Sequence, residues 1–190
     1  YFITANFEEQ VAVAGGAAGA EWWLTGQRFR AGGAAQVCRF YGSVSPGPNS
    51  HFYTIDPSEC DLLKALQTQT PASQKRWNFE SNDFLTTPAA NGACPAGLVP
   101  VYRAYNNGFT RNVDSNHRIT SNFAAYQQTV AAGWAAEGVV MCAPQTPAVT
   151  LPAQFSACGD ADCPTGATPL GNGPGTVKVI VQVNNTSNTP

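Results

Sequence analysis

The sequence predicts a mainly β fold with short helices, built from three pseudo-equivalent β-β-α-β repeats and followed by a C-terminal tail that carries one β-strand. Three observations predict it. Short alternating apolar and polar runs recur between turn-rich loops, as half-buried strands do. Three segments align residue by residue, each ending in a Trp with an apolar residue seven positions later. The composition is that of a β protein of low charge: 18 Gly, 14 Pro and only 12% charged residues, about half the usual share.

The first segment reads YFIT at Tyr1–Thr4, an acidic pair at Glu8-Glu9, then Trp22, Thr25 and Phe29. The second reads HFYT at His51–Thr54, Asp56-Pro57-Ser58-Glu59, then Trp77, Glu80 and Phe84. The third reads HRIT at His117–Thr120, Ser121-Asn122-Phe123, then Trp134, Glu137 and Met141. Ahead of the last two stands a further match, Val37-Cys38-Arg39-Phe40-Tyr41 against Val101-Tyr102-Arg103-Ala104-Tyr105. Internal repetition takes precedence in reading a chain, because one unit cannot bury its apolar face alone.

Each element follows from local chemistry. V-x-R-x-Y alternates as a strand does, and the loops Gly42–Ser50 and Asn106–Asn116 are rich in turn formers. Asp56 is an N-cap residue, Pro57 suits the first helical position and Glu59 the third, so a helix starts there with Leu62, Leu63 and Leu66 expected toward the core. Trp22, Trp77 and Trp134 are expected in the core. The repeats divide at about 1–33, 34–97 and 98–145, with a Pro/Gly/Thr-rich tail from 146 to 190. Three pseudo-equivalent units suggest closure like that of a β-trefoil or a small propeller.

The pattern resembles a repeat common in bacterial secreted and surface proteins, a family of unknown function marked by Y-R-x-Y, H-F-Y-T and W-x-x-E-G. The likeness covers about residues 1–145; the first repeat departs from it, with Tyr1 for His and Thr25 for Glu. It implies extracellular placement, often beside hydrolase or adhesin domains, and brings no activity and no catalytic residues.

The first repeat also lacks the Y-R-x-Y strand, since Tyr1 opens directly in a strand-like run. The tail contains an emphatic strand, Thr176–Val183 (TVKVIVQV). An unpaired edge invites a partner strand, so residues 176–183 are expected to fill the gap, within the chain or as a strand donated to a neighbour. The plainer alternative is an ordinary edge strand leading elsewhere.

Six cysteines and no C-x-x-C pair point to a disulfide framework, an oxidising compartment and no zinc site. The pairs expected from the repeats are Cys38–Cys142, Cys60–Cys94 and Cys158–Cys163. Composition excludes other classes. The net charge is −2, with Lys and Arg scattered, so nothing favours nucleic acid. No apolar run is long enough to span a membrane as a helix. If the chain is exported, its targeting segment has been removed.

No G-x-S-x-G, H-E-x-x-H or P-loop is present, and no catalytic residue, cofactor or metal is expected. His51 and His117 stand at equivalent repeat positions, where tying the loop to the strand outweighs ligand contact. Glu80 and Glu137 are expected to fix the turn beside Trp. Asp160 and Asp162 are too few for calcium and read as a solvated turn. Asn184 and Asn185 match the N-glycosylation pattern, which in the bacterial setting the resemblance implies is expected to be chance in a polar terminus. What remains is binding: Trp23, unmatched beside Trp22, as a stacking platform, with Tyr41, Tyr53, Tyr105, Arg39, Arg103, His51 and His117 as the mixed aromatic and polar surface that sugars need. The expected role is an extracellular recognition module for glycans or a cell-surface partner. The alternatives are an assembly subunit joined through 176–183 and an accessory domain of a secreted hydrolase.

Overall fold

The computed structural model describes residues 1–145 apart from 20, 21, 23, 24 and 26. Two three-stranded antiparallel sheets and three short helices make up this part. Helix α1 spans Phe7–Ala14. The first sheet holds β1 (Ala35–Ser43), β2 (Asn49–Thr54) and β3 (Asn78–Thr86) in the order β2-β1-β3, with α2 (Pro57–Gln69) between β2 and β3. The second holds β4 (Leu98–Tyr105), β5 (His117–Thr120) and β6 (Ala135–Pro144) in the order β5-β4-β6, with α3 (Phe123–Ala131) before β6. Neither sheet closes on itself, so the described residues form no barrel.

The V-x-R-x-Y strand is central in both sheets, and its register repeats. Cys38 pairs with Thr54 and Tyr41 with His51; Tyr102 pairs with Thr120 and Tyr105 with His117. Alternation then divides the faces. Val37 and Val101, both fully buried, enter a shared core with Phe29, Tyr53, Phe84, Ile119, Met141 and Ala143. Cys38 and Phe40 face the other way, into a second cluster under α2 with Phe52, Cys60, Leu63, Trp77 and Phe79.

Each helix is started by a short polar side chain. Asn6 accepts the amides of Glu8 and Glu9 on α1, Asp56 those of Ser58 and Glu59 on α2, and Asn122 that of Ala125 on α3. The Asp56-Pro57 start is the one the sequence predicts. The inward face of α2 is different. Cys60 and Leu63 meet the sheet, and Gln67 follows one turn on, its side chain accepting the Phe79 amide at 2.7 Å. Leu62 and Leu66 lie outside that face, 58% and 44% exposed.

The disulfides are Cys38–Cys60 and Cys94–Cys142. They replace the expected Cys38–Cys142 and Cys60–Cys94 pairs for a topological reason. Cys38 and Cys142 lie on strands of different sheets, whereas Cys38 points directly at the helix that carries Cys60. The Cys158–Cys163 pair and strand 176–183 lie outside the described residues. Two further expectations fail in the first segment. Among the described residues Tyr1–Thr4 pairs with no strand, and Trp22 is 38% exposed rather than core.

The sheets meet along two seams. Thr87 and Cys142 exchange backbone hydrogen bonds of 3.2 and 2.8 Å, and the Thr86 hydroxyl donates to the same Cys142 carbonyl. At the loop end, Ser115 donates its amide to the Gly47 carbonyl at 2.7 Å and accepts the Ser50 hydroxyl on its own carbonyl. Asp114 gathers the Ser45 hydroxyl, the Asn49 amide and the Gly47 N–H. Close approach at this end requires glycine: a Cβ at Gly42 would stand 1.9 Å from the Pro48 carbonyl oxygen. No described helix is long and apolar enough to cross a membrane.

Candidate functional site

Two polar-aromatic clusters stand at matching places, one per sheet. In the first, Arg39 leaves the centre of β1 and meets three carboxylates. Glu9 takes it bidentately at 2.8 and 2.9 Å, Glu80 lies 2.9 Å from Nε, and Asp83 lies 3.4 Å from Nη1. Thr4 donates its hydroxyl to Glu9 at 2.6 Å. The His51 ring sits between Phe2 at 4.7 Å and Tyr41 at 4.8 Å, with Nε2 3.4 Å from Glu80. The guanidinium also covers the Phe2 ring at 5.3 Å.

The second cluster repeats these relations with fewer charges. Arg103 donates from Nε to Glu137 at 2.8 Å and from Nη1 to the Tyr53 carbonyl at 3.0 Å, and covers the Phe52 ring at 4.7 Å. His117 packs between Phe52 at 5.0 Å and Tyr105 at 4.7 Å. Val140 precedes Met141 as Asp83 precedes Phe84, so the third carboxylate has no counterpart here. Arg103, Asp56, Glu59 and Val140 instead line an open depression of about 280 Å³.

Burial sets the charge states. It pushes His51 down to about 4 and His117 to about 3, with the adjacent Arg39 and Arg103 adding to the effect. Both rings are therefore neutral at physiological pH. Burial also raises Glu80 and Asp83 from their ordinary values, against the pull of Arg39. It acts the same way on Glu9, but the hydrogen bonds from Arg39 and Thr4 outweigh it and hold Glu9 low. Tyr53 is raised well above its ordinary value by burial.

The expected binding residues are thus collected into these two clusters, in roles that differ. Tyr53 is 2% exposed, its hydroxyl donating to the Ile3 carbonyl at 2.6 Å and accepting the Ile3 amide. Arg39 and His117 are buried; Tyr41, His51, Arg103 and Tyr105 are half-buried. Trp23 lies outside the described residues. Glu80 and Glu137 do not fix the turn beside Trp; each reaches across the sheet to the arginine of the central strand. The repeats carried that signal, since the arginine strand and W-x-x-E are both present in the second and third segments and both missing from the first.

One aromatic group was not anticipated. Tyr102 stacks on Tyr126 at 4.8 Å and meets Phe123 at 5.2 Å, while Phe123 lies 6.2 Å from Tyr126. Phe123 is 51% exposed and the two tyrosines are half-buried. The Tyr126 hydroxyl accepts the Gly138 amide at 3.2 Å. Among the described residues no group of His, Cys, Asp and Glu is arranged to hold a metal ion.

These features define a mainly β, disulfide-bonded domain whose polar clusters tie segments together. The chain belongs to the family described as a domain of unknown function (DUF5648), which matches residues 1–144. No curated protein and no solved structure matches the chain.

Proposed function

We propose that this chain is an extracellular recognition module that binds glycans, with Tyr102, Phe123 and Tyr126 as its stacking face. The observation that carries the reading is the aromatic group itself. Three rings in mutual contact are held by a strand and a helix, and the outermost is half open to solvent. Rings of this kind stack on the apolar face of a sugar at little entropic cost, because strand and helix fix them beforehand. The two disulfides suit an oxidising compartment outside the cytoplasm.

The buried clusters fit this reading as scaffolding. Arg39 and Arg103 spend their hydrogen bonds inside the fold, which leaves the outer aromatic face as the part free to recognise a partner. A glycan array probed with the full chain tests the proposal. Binding to a defined set of glycans, lost in Phe123→Ala and Tyr102→Ala, is the expected result. No binding to any glycan, or binding unchanged in both variants, would overturn it.

A further inference from the structure

Several relationships recur around the molecule in a cycle. Phe2 lies 4.7 Å from His51, Phe52 lies 5.0 Å from His117, and the Arg118 guanidinium lies 5.2 Å from the Tyr1 ring. In each case the second residue of one segment meets the first residue of the next, and the third segment returns to the first. The tryptophans keep the same step: Trp77 is 6.1 Å from His117 and Trp134 is 6.2 Å from Tyr1. Within a segment, Phe52 meets Trp77 at 5.4 Å and Phe2 meets Trp22 at 6.3 Å. Ile3, Tyr53 and Ile119 converge on one core, as do Phe29, Phe84 and Met141.

The central strand departs from this cycle. Val37 and Val101 supply its core residue from β1 and β4, and no described residue supplies a third. In both sheets that strand runs between the H-F-Y-T-type segment and the strand after Trp. The matching flanks in the first segment are residues 1–4 and 27–30, and no described strand runs between them.

We infer that a β-strand fits between residues 1–4 and 27–30, completing a pseudo-threefold ring, and that residues 176–183 of the same chain are its occupant. Side-chain alternation fixes which face points inward. Val177, Val179, Val181 and Val183 form one apolar face; Lys178, Ile180 and Gln182 form the other. With Val177 in the place of Val37 and Val101, Lys178 takes the place of Cys38 and Tyr102. Those two face Cys60 and Tyr126, each four residues after its helix cap. Four residues after the Asn6 cap stands Gln10, half-buried on α1, a helix with the exposed Glu8 in its first turn and no basic residue. Lys178 complements that helix.

Val179 then falls where Arg39 and Arg103 stand, and this substitution is what selects the occupant. Each arginine is held beside a glutamate and a histidine, but the first segment has Thr25 and Tyr1 at those positions. A strand with arginine there would bury an unpaired charge, whereas a valine matches its neighbours. Residues 145–175 supply the connection from β6. At about 3.3 Å per extended residue they span more than the width of a domain of this size, and tethering keeps the strand at high effective concentration.

The test uses the full chain with Cys158→Ser and Cys163→Ser to remove competing thiols. Gln10→Cys combined with Lys178→Cys is oxidised, and the monomer is mapped by non-reducing peptide analysis. A bond between the two introduced thiols within one chain is expected, and none with the opposite-face control, Gln10→Cys with Val179→Cys. Independently, Val179→Lys in the otherwise native chain should lower the urea midpoint as far as deletion of residues 176–190 does. An unchanged midpoint after deletion, equal cross-linking in the control, or a bond joining two chains would each overturn the inference.

Discussion

Tyr102 and Tyr126 stack where the first sheet has the Cys38–Cys60 bond. Cys38 pairs with Thr54 across its sheet as Tyr102 pairs with Thr120, and both helix partners lie one turn past an N-cap. The same strand-to-helix contact is thus made covalently in one sheet and by stacked rings in the other. A Tyr102→Cys/Tyr126→Cys variant should therefore form an additional disulfide, seen as unchanged free-thiol content after oxidative refolding. Replacing Cys38 and Cys60 together by alanine should cost about 3 kcal/mol by the loop-entropy estimate for this spacing, measured by urea unfolding.

Arg39 and Arg103 differ in how many carboxylates depend on them. Arg39→Ala strands Glu9, Glu80 and Asp83 close together with no cation, and a cost of about 3–5 kcal/mol is expected. Arg103→Ala strands only Glu137 and a backbone carbonyl, for about 1–3 kcal/mol. The ratio of the two urea midpoint shifts checks this, and equal shifts would contradict the three-carboxylate account. Adding Asp83→Asn to Arg39→Ala should recover part of the loss.

The two histidines predict the response to acid. Their folded values, about 4 for His51 and about 3 for His117, lie below the unfolded value of about 6.5. The unfolded chain therefore binds protons first as pH falls. Stability from each ring is complete above about pH 6.5 and is lost as pH drops toward 4 and 3, by about 2 kcal/mol per histidine at pH 5. Glu80 and Asp83, both raised, act in the opposite direction and soften the slope. Unfolding free energy measured from pH 7 to 5 should fall steeply in the native chain and much less in His51→Gln/His117→Gln.

Phe123 separates recognition from folding. Half its surface is already in water, so Phe123→Ala should shift the thermal midpoint by only a few degrees. Glycan binding should nevertheless fall by tenfold or more if the aromatic face carries it. Tyr53→Phe is the contrasting case: it removes both hydrogen bonds to Ile3, so stability should drop with binding unchanged.

The central strands and one helix start were legible because they rest on local chemistry: the alternation of V-x-R-x-Y, and Asp56 as a cap ahead of Pro57. The arginine–glutamate pairs were legible in principle, since both partners repeat together. Disulfide pairing was not, because many pairings fit six cysteines and only the helix rotation under β1 singles out Cys60 for Cys38. The exposure of Leu62 and Leu66 has the same origin: with leucines on several sides, the sequence of α2 does not say which side faces inward. The aromatic face is less legible, because Tyr102 lies some twenty residues from Phe123 and Tyr126, and Tyr126 matches Cys60 only once the two helices are aligned on their caps.

Each described disulfide closes within its own sheet region, Cys38–Cys60 before residue 87 and Cys94–Cys142 after it. Among the described residues the two halves are therefore connected covalently by the backbone alone, and otherwise by the core that Val37, Tyr53 and Phe84 share with Val101, Ile119 and Met141, by the Arg103–Tyr53 hydrogen bond and by the seams at Cys142, Ser115 and Asp114. A molecule organised in this way has two halves that no described disulfide joins. Cut or expressed as two pieces divided near Asn91, it should yield fragments that oxidise independently and reassociate, which would make the fold a natural scaffold for reporting when two tethered molecules come together.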